Sequence, residues 1–346
     1  MKIRFIISHP TSYLFGEVRQ AIIADELMRL GHDAAIYRYH NRPDVKCERF
    51  DNRVPITYFP TDDPGALPHR TVSSVLVERI QADSPDLLIF KGLGYDVIAH
   101  VLNQISVGTM RVGLILGGMA VDPMLARADF VLTESQGQID AIHKALGRPL
   151  PCRTLAKYLD WDLADRLYAA RRAGAVPDFD IVNVGSFEPR KNQIALKAFF
   201  GRYRIAMVGD GECLNAVKQA AVGMPDIHLL GGLPNDATLE IIGRSRLMVH
   251  ASLWEGVPRA IYESLACGTP VVAHGFAIQE RYEGTRAVRL VNTDELVPTT
   301  EALLADPVFL AEMAEEGRAY AKERNGAHHL LEAAEHILTM ASVCQD

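Results

Sequence analysis

Two acidic residues in the segment ASLWEGVPRAIYESLACGTPVVA, at positions 251–273, have types and spacing that could do chemistry. Glu255 precedes a predicted helix start, and Glu263 lies within that helix, roughly 9 Å farther along at about 1.5 Å per residue. Ionised carboxylates accept hydrogen bonds from hydroxyl groups. One glutamate could therefore hold a sugar and the other a ribose, with a diphosphate at the helix end between them.

The sequence around the glutamates predicts a strand, a turn and a helix. Residues 247–250 (LMVH) form a short apolar run of strand type, and Pro258 suits a first helical turn, where no intrahelical N–H is needed. Gly268 followed by Pro270 predicts the end of a helix of about eleven residues. The first turn of this helix exposes N–H groups that favour a phosphate, and Gly256 lets a ligand approach the backbone closely.

A plainer interpretation of the two glutamates is also consistent with their spacing. Glu255 would be a charge at the helix N-terminus, and Glu263 a solvated residue on the helix surface. Spacing alone supports both interpretations equally well, because such pairs recur by chance in chains of this length.

The composition limits the classes of protein to which the chain can belong. With 346 residues it exceeds the size at which one core usually stops growing, so two domains are expected. The net charge of −7 and the lack of a clustered basic face argue against nucleic acid as a partner. Five scattered cysteines without a CxxC pair indicate a reducing compartment.

The apolar stretches are too short for a signal peptide or a membrane span. The N-terminal run in MKIRFIISHP has about four apolar residues, and the longest stretch, VGLILGGMAV at 112–121, is about half of what a span requires. We therefore expect a cytoplasmic protein. Peripheral contact with the inner face of the membrane is left open.

Short apolar runs alternate with amphipathic segments of helical length along the whole chain. This alternation predicts an α/β fold with parallel sheets and helices on both faces, in which ligands bind beyond the carboxyl ends of the strands. Residues 163–178 (LADRLYAARRAGAVPD) are the best candidate for a linker, because they mix charge, alanine, glycine and proline. We predict domains at 1–177 and 178–326, followed by a C-terminal helix at 327–346.

Four segments resemble, in order, motifs of the retaining family 4 glycosyltransferases of GT-B fold. They are IVNVGSFEPRKNQ at 181–193, IAMVGDGE at 205–212, IHLLGGLPND at 227–236, and the glutamate segment. The resemblance implies two Rossmann-like, doubly wound parallel-sheet domains facing each other across a cleft, the N-terminal one binding an acceptor and the C-terminal one a nucleotide sugar. It also implies that the last helix crosses back to the N-terminal domain.

The resemblance implies roles for particular residues. In the family, the two glutamates contact the donor sugar and the ribose, which carries those roles to Glu255 and Glu263. The loop that wraps the donor corresponds to Gly256, Val257, Pro258 and Arg259, and the main chain of Gly231 to Leu233 would contact the base.

The basic loop departs from the pattern of the family. Many members have arginine after the glycine that ends the first strand, whereas here Ser186 follows Gly185. Lys191 keeps the lysine position, and Arg190 could supply the second cation through a bidentate phosphate contact. We expect Lys191 and Glu255 to be the catalytic residues. The alternative is that this segment is a solvated basic turn.

The N-terminal half resembles the family only in outline. Gly16 is nearest to the expected loop glycine, where the acceptor or the diphosphate would approach. Gly117 and Gly118 stand where the family often has a histidine, so no catalytic histidine carries over.

Three other motifs favour plainer roles. Asp160-Trp161-Asp162 spells a metal-binding signature, but it precedes a helical segment, so capping or surface roles are favoured. His9 and His274 follow strands and could face a cleft, although buried hydrogen-bonding roles are favoured. Gly209-Asp210-Gly211 alone is a weak nucleotide signal, because a third glycine is missing.

Together these features predict a retaining glycosyltransferase that moves a sugar from an NDP-sugar donor to an acceptor hydroxyl, with no metal and no cofactor. Two alternatives remain: a GT-B-fold NDP-sugar epimerase, and a non-catalytic sugar-nucleotide-binding or scaffold protein. The sequence names neither the sugar, the base, the acceptor nor the oligomeric state.

Overall fold

The chain divides into two compact units. A computed structural model describes residues 1–9, 18–105, 108, 110–117, 122–275 and 282–343. The N-terminal unit comprises Met1–Tyr158 together with Ala327–Asp346, and the C-terminal unit comprises Leu159–Gly326. Each unit contains one large sheet with helices, as the alternation of apolar runs and amphipathic segments predicts.

The sheet of the N-terminal unit has eight strands in the order β3-β4-β2-β1-β5-β6-β7-β8. Its strands are β1 (Lys2–Ile7), β2 (Asp33–His40), β3 (Lys46–Phe50), β4 (Val54–Pro60), β5 (Leu87–Lys91), β6 (Arg111–Ile115), β7 (Phe130–Thr133) and β8 (Cys152–Thr154). The helices between them are α1 (Val18–Arg29), α2 (Ser74–Asp83), α3 (Asp96–Gln104) and α4 (Gln136–Leu146). All pairs are parallel except β3 with β4.

The strands of this sheet have apolar side chains on both faces, and β1 shows why. Ile3, Phe5 and Ile7 pack in the same cluster as residues of α1, whereas Ile6 packs on the opposite face with residues of α2 and α3. A parallel strand covered on both faces reads as a continuous apolar run rather than an alternating one. This explains why the sequence reveals these strands.

The sheet of the C-terminal unit has six strands in the order β11-β10-β9-β12-β13-β14, all parallel. Its strands are β9 (Phe179–Val184), β10 (Ile205–Val208), β11 (Ile227–Gly231), β12 (Ser245–His250), β13 (Val271–His274) and β14 (Val288–Val291). Its helices are α5 (Trp161–Arg172), α6 (Leu214–Ala220), α7 (Asn235–Gly243), α8 (Arg259–Ala266), α9 (Leu296–Ala305) and α10 (Pro307–Asn325). The strand order reverses between β9 and β12, which is where ligands bind in doubly wound sheets.

The predicted linker at 163–178 is mostly helix. Helix α5 packs against α7 and α8 of the C-terminal unit, and its Leu163 and Ala164 are buried there. Asp160 caps this helix by accepting a hydrogen bond of 3.0 Å from the backbone N–H of Leu163, as the capping interpretation expects. The division of the chain therefore falls after Tyr158 and not at residue 177, because an apolar stripe anchors α5 to the second unit.

The last helix belongs to the N-terminal unit. Helix α11 (His328–Val343) packs against α1, and its Leu330, Ala334 and Ile337 are buried in the cluster that contains Ala24 of α1. The chain thus returns to its first unit after completing the second. Among the residues with described structure, no helix is both long enough and apolar enough to span a bilayer.

Glycines let the loops after β9 and β10 approach each other backbone to backbone. Gly209 has φ of +141°, and a Cβ atom there would overlap the carbonyl oxygen of Gly185. Gly211 has φ of +150°, and a Cβ atom there would lie 2.6 Å from the carbonyl oxygen of Phe187. Only glycine satisfies both the conformation and the contact at these positions.

Gly209→Ala should therefore lower the free energy of unfolding of the C-terminal unit by about 3 kcal/mol, because left-handed strain and overpacking add. The matched control is Gly223→Ala, at φ of +77° with no atom within 4 Å of the added carbon, which should cost about 1 kcal/mol. Urea denaturation of both variants measures the difference. Equal losses would show that the loops do not touch through their backbones.

Candidate functional site

Two loops meet where the strand order of the C-terminal unit reverses. One follows β9, and the other joins β12 to α8. The backbone N–H of Leu253 donates to the carbonyl of Arg190 at 2.7 Å, and the Asn192 side-chain amide donates to the carbonyl of Ala251 at 3.4 Å. The Arg190 guanidinium lies 5.9 Å from the ring centroid of Trp254. These contacts join the basic loop and the glutamate loop into one site.

The basic loop has a conformation that local interactions fix. Its 3-10 turn at Pro189–Lys191 begins with proline and ends at Asn192, which has a left-handed φ of 51°. The buried side-chain amide of Gln193 donates to the carbonyls of Ser186 at 2.7 Å and Gly185 at 3.3 Å. The turn therefore carries Lys191 on a restrained backbone rather than on a solvated loop.

The Glu255 carboxylate is buried among three positively charged or hydrogen-bonding groups. Its Oε1 contacts Lys191 Nζ directly and lies 3.3 Å from His250 Nε2, while its Oε2 lies 3.4 Å from a terminal nitrogen of Arg190. Glu255 itself is 7 % exposed. A carboxylate in this setting is held as an anion and is fixed in orientation.

The same groups determine the protonation states in the site. Burial alone would raise the pKa of Glu255, but the hydrogen bond with His250 and the charge of Lys191 outweigh burial and lower the pKa to about 2. Burial lowers the pKa of His250, and the hydrogen bond with Glu255 only partly opposes this. Near neutral pH the pair is therefore a carboxylate beside a neutral imidazole.

Glu263, the second glutamate of this segment, is also a buried carboxylate. It lies in α8, is 4 % exposed, and its Oε1 is 3.1 Å from Arg259 Nε one helical turn earlier. The interpretation of Glu263 as a solvated surface residue is therefore wrong. Helix α8 has eight residues rather than about eleven, because Pro258 precedes the helix and Gly268, at φ of +71°, follows its end.

The N-terminus of α8 is the electropositive element between the two glutamates. Pro258 provides no side-chain cap, so the first N–H groups of the helix are not capped by that side chain. The preceding residues Gly256 and Val257 are buried, and the Val257 side chain packs into the core. Val257 can therefore contact a ligand only through its backbone, while the Arg259 side chain is exposed.

The other predicted site residues fall into three groups. Gly231, with φ of +70°, is the last residue of β11, the strand two places from β9. Its carbonyl accepts a hydrogen bond of 2.8 Å from the N–H of Gly209, and the half-buried Leu233 follows the strand. Gly117 is exposed after β6. Gly16 and Gly118 lie outside the described residues.

His250 is the residue of this site that the sequence reasoning missed. It was counted only as the last residue of an apolar strand. The available signal was a histidine that ends a buried strand five positions before Glu255. His274, which ends the adjacent strand β13, is also 1 % exposed; burial lowers its pKa, and hydrogen bonding to the backbone of Ala251 partly opposes this.

One further cluster of metal-type ligands occurs in the described part of the chain. His328, His329 and Glu332, in the first turns of α11, have ligand atoms within 4.8 Å of one another. His328 and Glu332 are exposed, and the cluster belongs to the N-terminal unit rather than to the unit that contains Glu255.

Sequence comparison finds one matching family model, which falls in the C-terminal unit, and one curated relative. Residues 178–306 match the family model described as glycosyl transferases group 1. A curated relative, the uncharacterized glycosyltransferase MJ1059 of Methanocaldococcus jannaschii, is 28% identical over 105 residues, which are 28% of this chain. The alignment spans a quarter (25%) of the length of that relative.

Solved structures match over nearly the whole chain. Sucrose-phosphate synthase from Thermosynechococcus elongatus has a TM-score of 0.79 at 15% identity, covering 100% of both chains. Anabaena Alr3699/HepE in complex with UDP-glucose has a TM-score of 0.70 at 18% identity, covering 98% of this chain and 100% of that one. At such identities the likeness is one of fold, and it confirms the GT-B prediction.

Glu255→Gln should reduce the dependence of stability on pH. Because the folded pKa of Glu255 is about 2 and its ordinary value is 4.5, the stabilisation is complete above pH 4.5 and is lost as the pH falls toward 2. Between pH 6 and pH 3 the wild type should lose about 2 kcal/mol more than the variant in urea denaturation.

The control for this measurement is Glu240→Gln, which changes an exposed glutamate of α7 in the same unit. Its stability should follow the wild-type pH profile. If Glu255→Gln follows that profile as well, the ion pairs of Glu255 contribute nothing to folding.

Proposed function

We propose, from the match of residues 178–306 to the family model of glycosyl transferases group 1, that the chain is a retaining glycosyltransferase. It moves a sugar from a nucleoside-diphosphate donor, bound by the C-terminal unit, to a hydroxyl group of an acceptor. The observation that carries the proposal is the burial of Glu255 against Lys191 and Arg190 in the loop that leads into α8, the helix that contains Glu263. This arrangement places fixed acceptors for hydroxyl groups next to cations for a diphosphate.

The donor has a complementary pattern of charge and hydroxyl groups. Its diphosphate is an anion, which the N-terminus of α8 and the side chains of Lys191 and Arg190 attract. Its sugar and its ribose carry hydroxyl groups, which the carboxylates of Glu255 and Glu263 accept. Without a donor, Glu255 pairs with Lys191 and shares Arg190 with Glu188, whose Oε2 lies 3.0 Å from Arg190 Nε. Binding a diphosphate would therefore redistribute existing charge instead of burying new uncompensated charge.

In the transfer step, the bond between the anomeric carbon and the diphosphate oxygen breaks, and a bond to the acceptor oxygen forms. The acceptor proton passes to an oxygen of the leaving phosphate, so the step needs no enzyme base. Negative charge grows on the diphosphate as the bond breaks, and Lys191, Arg190 and the helix N-terminus stabilise this charge. Attack on the face from which the diphosphate leaves retains the anomeric configuration.

The proposal requires no metal ion, because side chains and the helix end neutralise the leaving group. Two related folds carry uridine nucleotides: Alr3699/HepE with UDP-glucose, and an E. coli trehalose-6-phosphate protein with UDP-2-fluoro glucose. Uridine nucleotides are therefore the first donors to test. The acceptor is bound by the N-terminal unit in this proposal.

A thermal-shift screen with UDP, GDP, ADP and TDP sugars should identify the base, since a ligand that binds only the folded state raises the midpoint by mass action. The nucleotide that the screen selects should then bind Lys191→Met about 10- to 100-fold more weakly in calorimetry, because a charge-assisted phosphate contact is lost. Lys197→Met, which changes an exposed lysine of the following segment, is the matched control and should bind like the wild type. No shift with any nucleotide would contradict the proposal.

Turnover separates the transferase from its alternatives. Glu255→Gln and Glu263→Gln should each lower kcat/KM for sugar transfer about 100-fold or more, because each loses a charged acceptor for a donor hydroxyl. The measurement is release of the nucleoside diphosphate with and without sugar acceptors. Epimerised donor without any acceptor would indicate an epimerase, and binding without turnover would indicate a non-catalytic protein.

A further inference from the structure

We propose that His250 is a positioning residue that aims the Glu255 carboxylate at the donor sugar. This inference rests on the proposed function and assigns a role to a residue that makes no contact with the donor. His250 would hold one oxygen of Glu255 throughout the catalytic cycle, including the stage at which Lys191 and Arg190 are engaged by the diphosphate.

The two partners differ in how firmly the fold holds them. His250 is the last residue of β12, a central strand of the sheet, and its backbone pairs in register with Ala273 of β13. Its side chain is 1 % exposed. Glu255, in contrast, lies in the loop between β12 and α8. A side chain fixed by a buried strand can restrain a side chain on a loop, and sites built on strands are more accurately placed than sites on loops.

The position of the imidazole proton follows from the surroundings of the ring. His250 Nε2 lies 3.3 Å from Glu255 Oε1, at ion-pair distance, although in the described part of the chain neither ring nitrogen has a partner that meets full hydrogen-bond geometry. A neutral imidazole carries one proton, and only at Nε2 does that proton meet a carboxylate. Burial keeps the ring neutral by lowering its pKa, and the charges of Lys191 and Arg190 act in the same direction.

The cations alone cannot fix Glu255 once a donor is bound. Lys191 and Arg190 reach Glu255 from the basic loop, and the same two side chains are the ones available to a diphosphate at the start of α8. The His250 ring is buried and uncharged, so the charge of the phosphates attracts it less than it attracts the two cations. His250 is therefore the partner that still contacts Glu255 when Lys191 and Arg190 bind the diphosphate.

The test compares two variants of similar size. His250→Gln keeps a donor N–H close to the position of Nε2, and His250→Met keeps the bulk of the side chain without a donor. Calorimetry with UDP and UDP-glucose as probes, or with the pair of nucleotide and nucleotide sugar that the screen selects, gives the affinity gained from the sugar. Steady-state turnover of the same donor gives kcat and KM.

We expect His250→Met to lower kcat about 10- to 100-fold and to reduce the ratio of UDP-glucose to UDP affinity, because a hydrogen bond to a charged group is lost. Its affinity for UDP should stay within about threefold of the wild type, and His250→Gln should recover most of the lost turnover. If His250 had only a structural role, the affinities for UDP and UDP-glucose would fall together, and His250→Gln would not recover turnover. Equal losses in the two variants, or an unchanged affinity ratio in His250→Met, would overturn the inference.

A separate measurement distinguishes failure of this inference from failure of the proposed function. If the wild type binds none of the nucleotides, the proposed function fails. The acid limb of the urea denaturation profile then still tests the contact: His250→Met should move the loss of stability to higher pH, because Glu255 loses a hydrogen bond to its charged form. A profile identical to that of the wild type would show that His250 does not hold Glu255.

Discussion

The site depends on keeping one carboxylate charged inside the protein. Removing Glu255 from water costs free energy that only close partners can offset, and the structure supplies three such partners. Lys191 and Arg190 come from the loop after β9, and His250 comes from the end of β12. These elements flank the point where the strand order reverses, so the placement of β9 and β12 in the sheet determines whether the charge of Glu255 is compensated.

Glycines make this arrangement sterically possible. The loops after β9 and β10 contact each other through backbone atoms where Gly209 meets Gly185 and Gly211 meets Phe187, and a side chain at Gly209 or Gly211 would push the loops apart. Phe187, an apolar residue of the loop after β9, is buried. Close packing of such residues and the backbone conformations of the glycines together hold the loops at the edge of the sheet.

Features that depend on local pattern could be predicted, and features that depend on tertiary contacts could not. The order of strands and helices around Glu255 follows from buried runs that are apolar on both faces and from Gly268 as a helix stop. Strand β3 escapes the pattern because its residues are largely exposed, and α5 resembles a linker in sequence because its charged residues conceal a short apolar stripe. The contact between His250 and Glu255 depends on side-chain directions that spacing does not encode.

The return of α11 to α1 has a consequence for how the chain folds during synthesis. Residues 159–326 are contiguous, so the C-terminal unit can become complete as soon as it leaves the ribosome. The N-terminal unit cannot, because the helix that covers Ala24 and its neighbours on α1 is translated after the whole C-terminal unit. Until then a nascent chain exposes an apolar strip on α1, and a chaperone that shields such surface would act there.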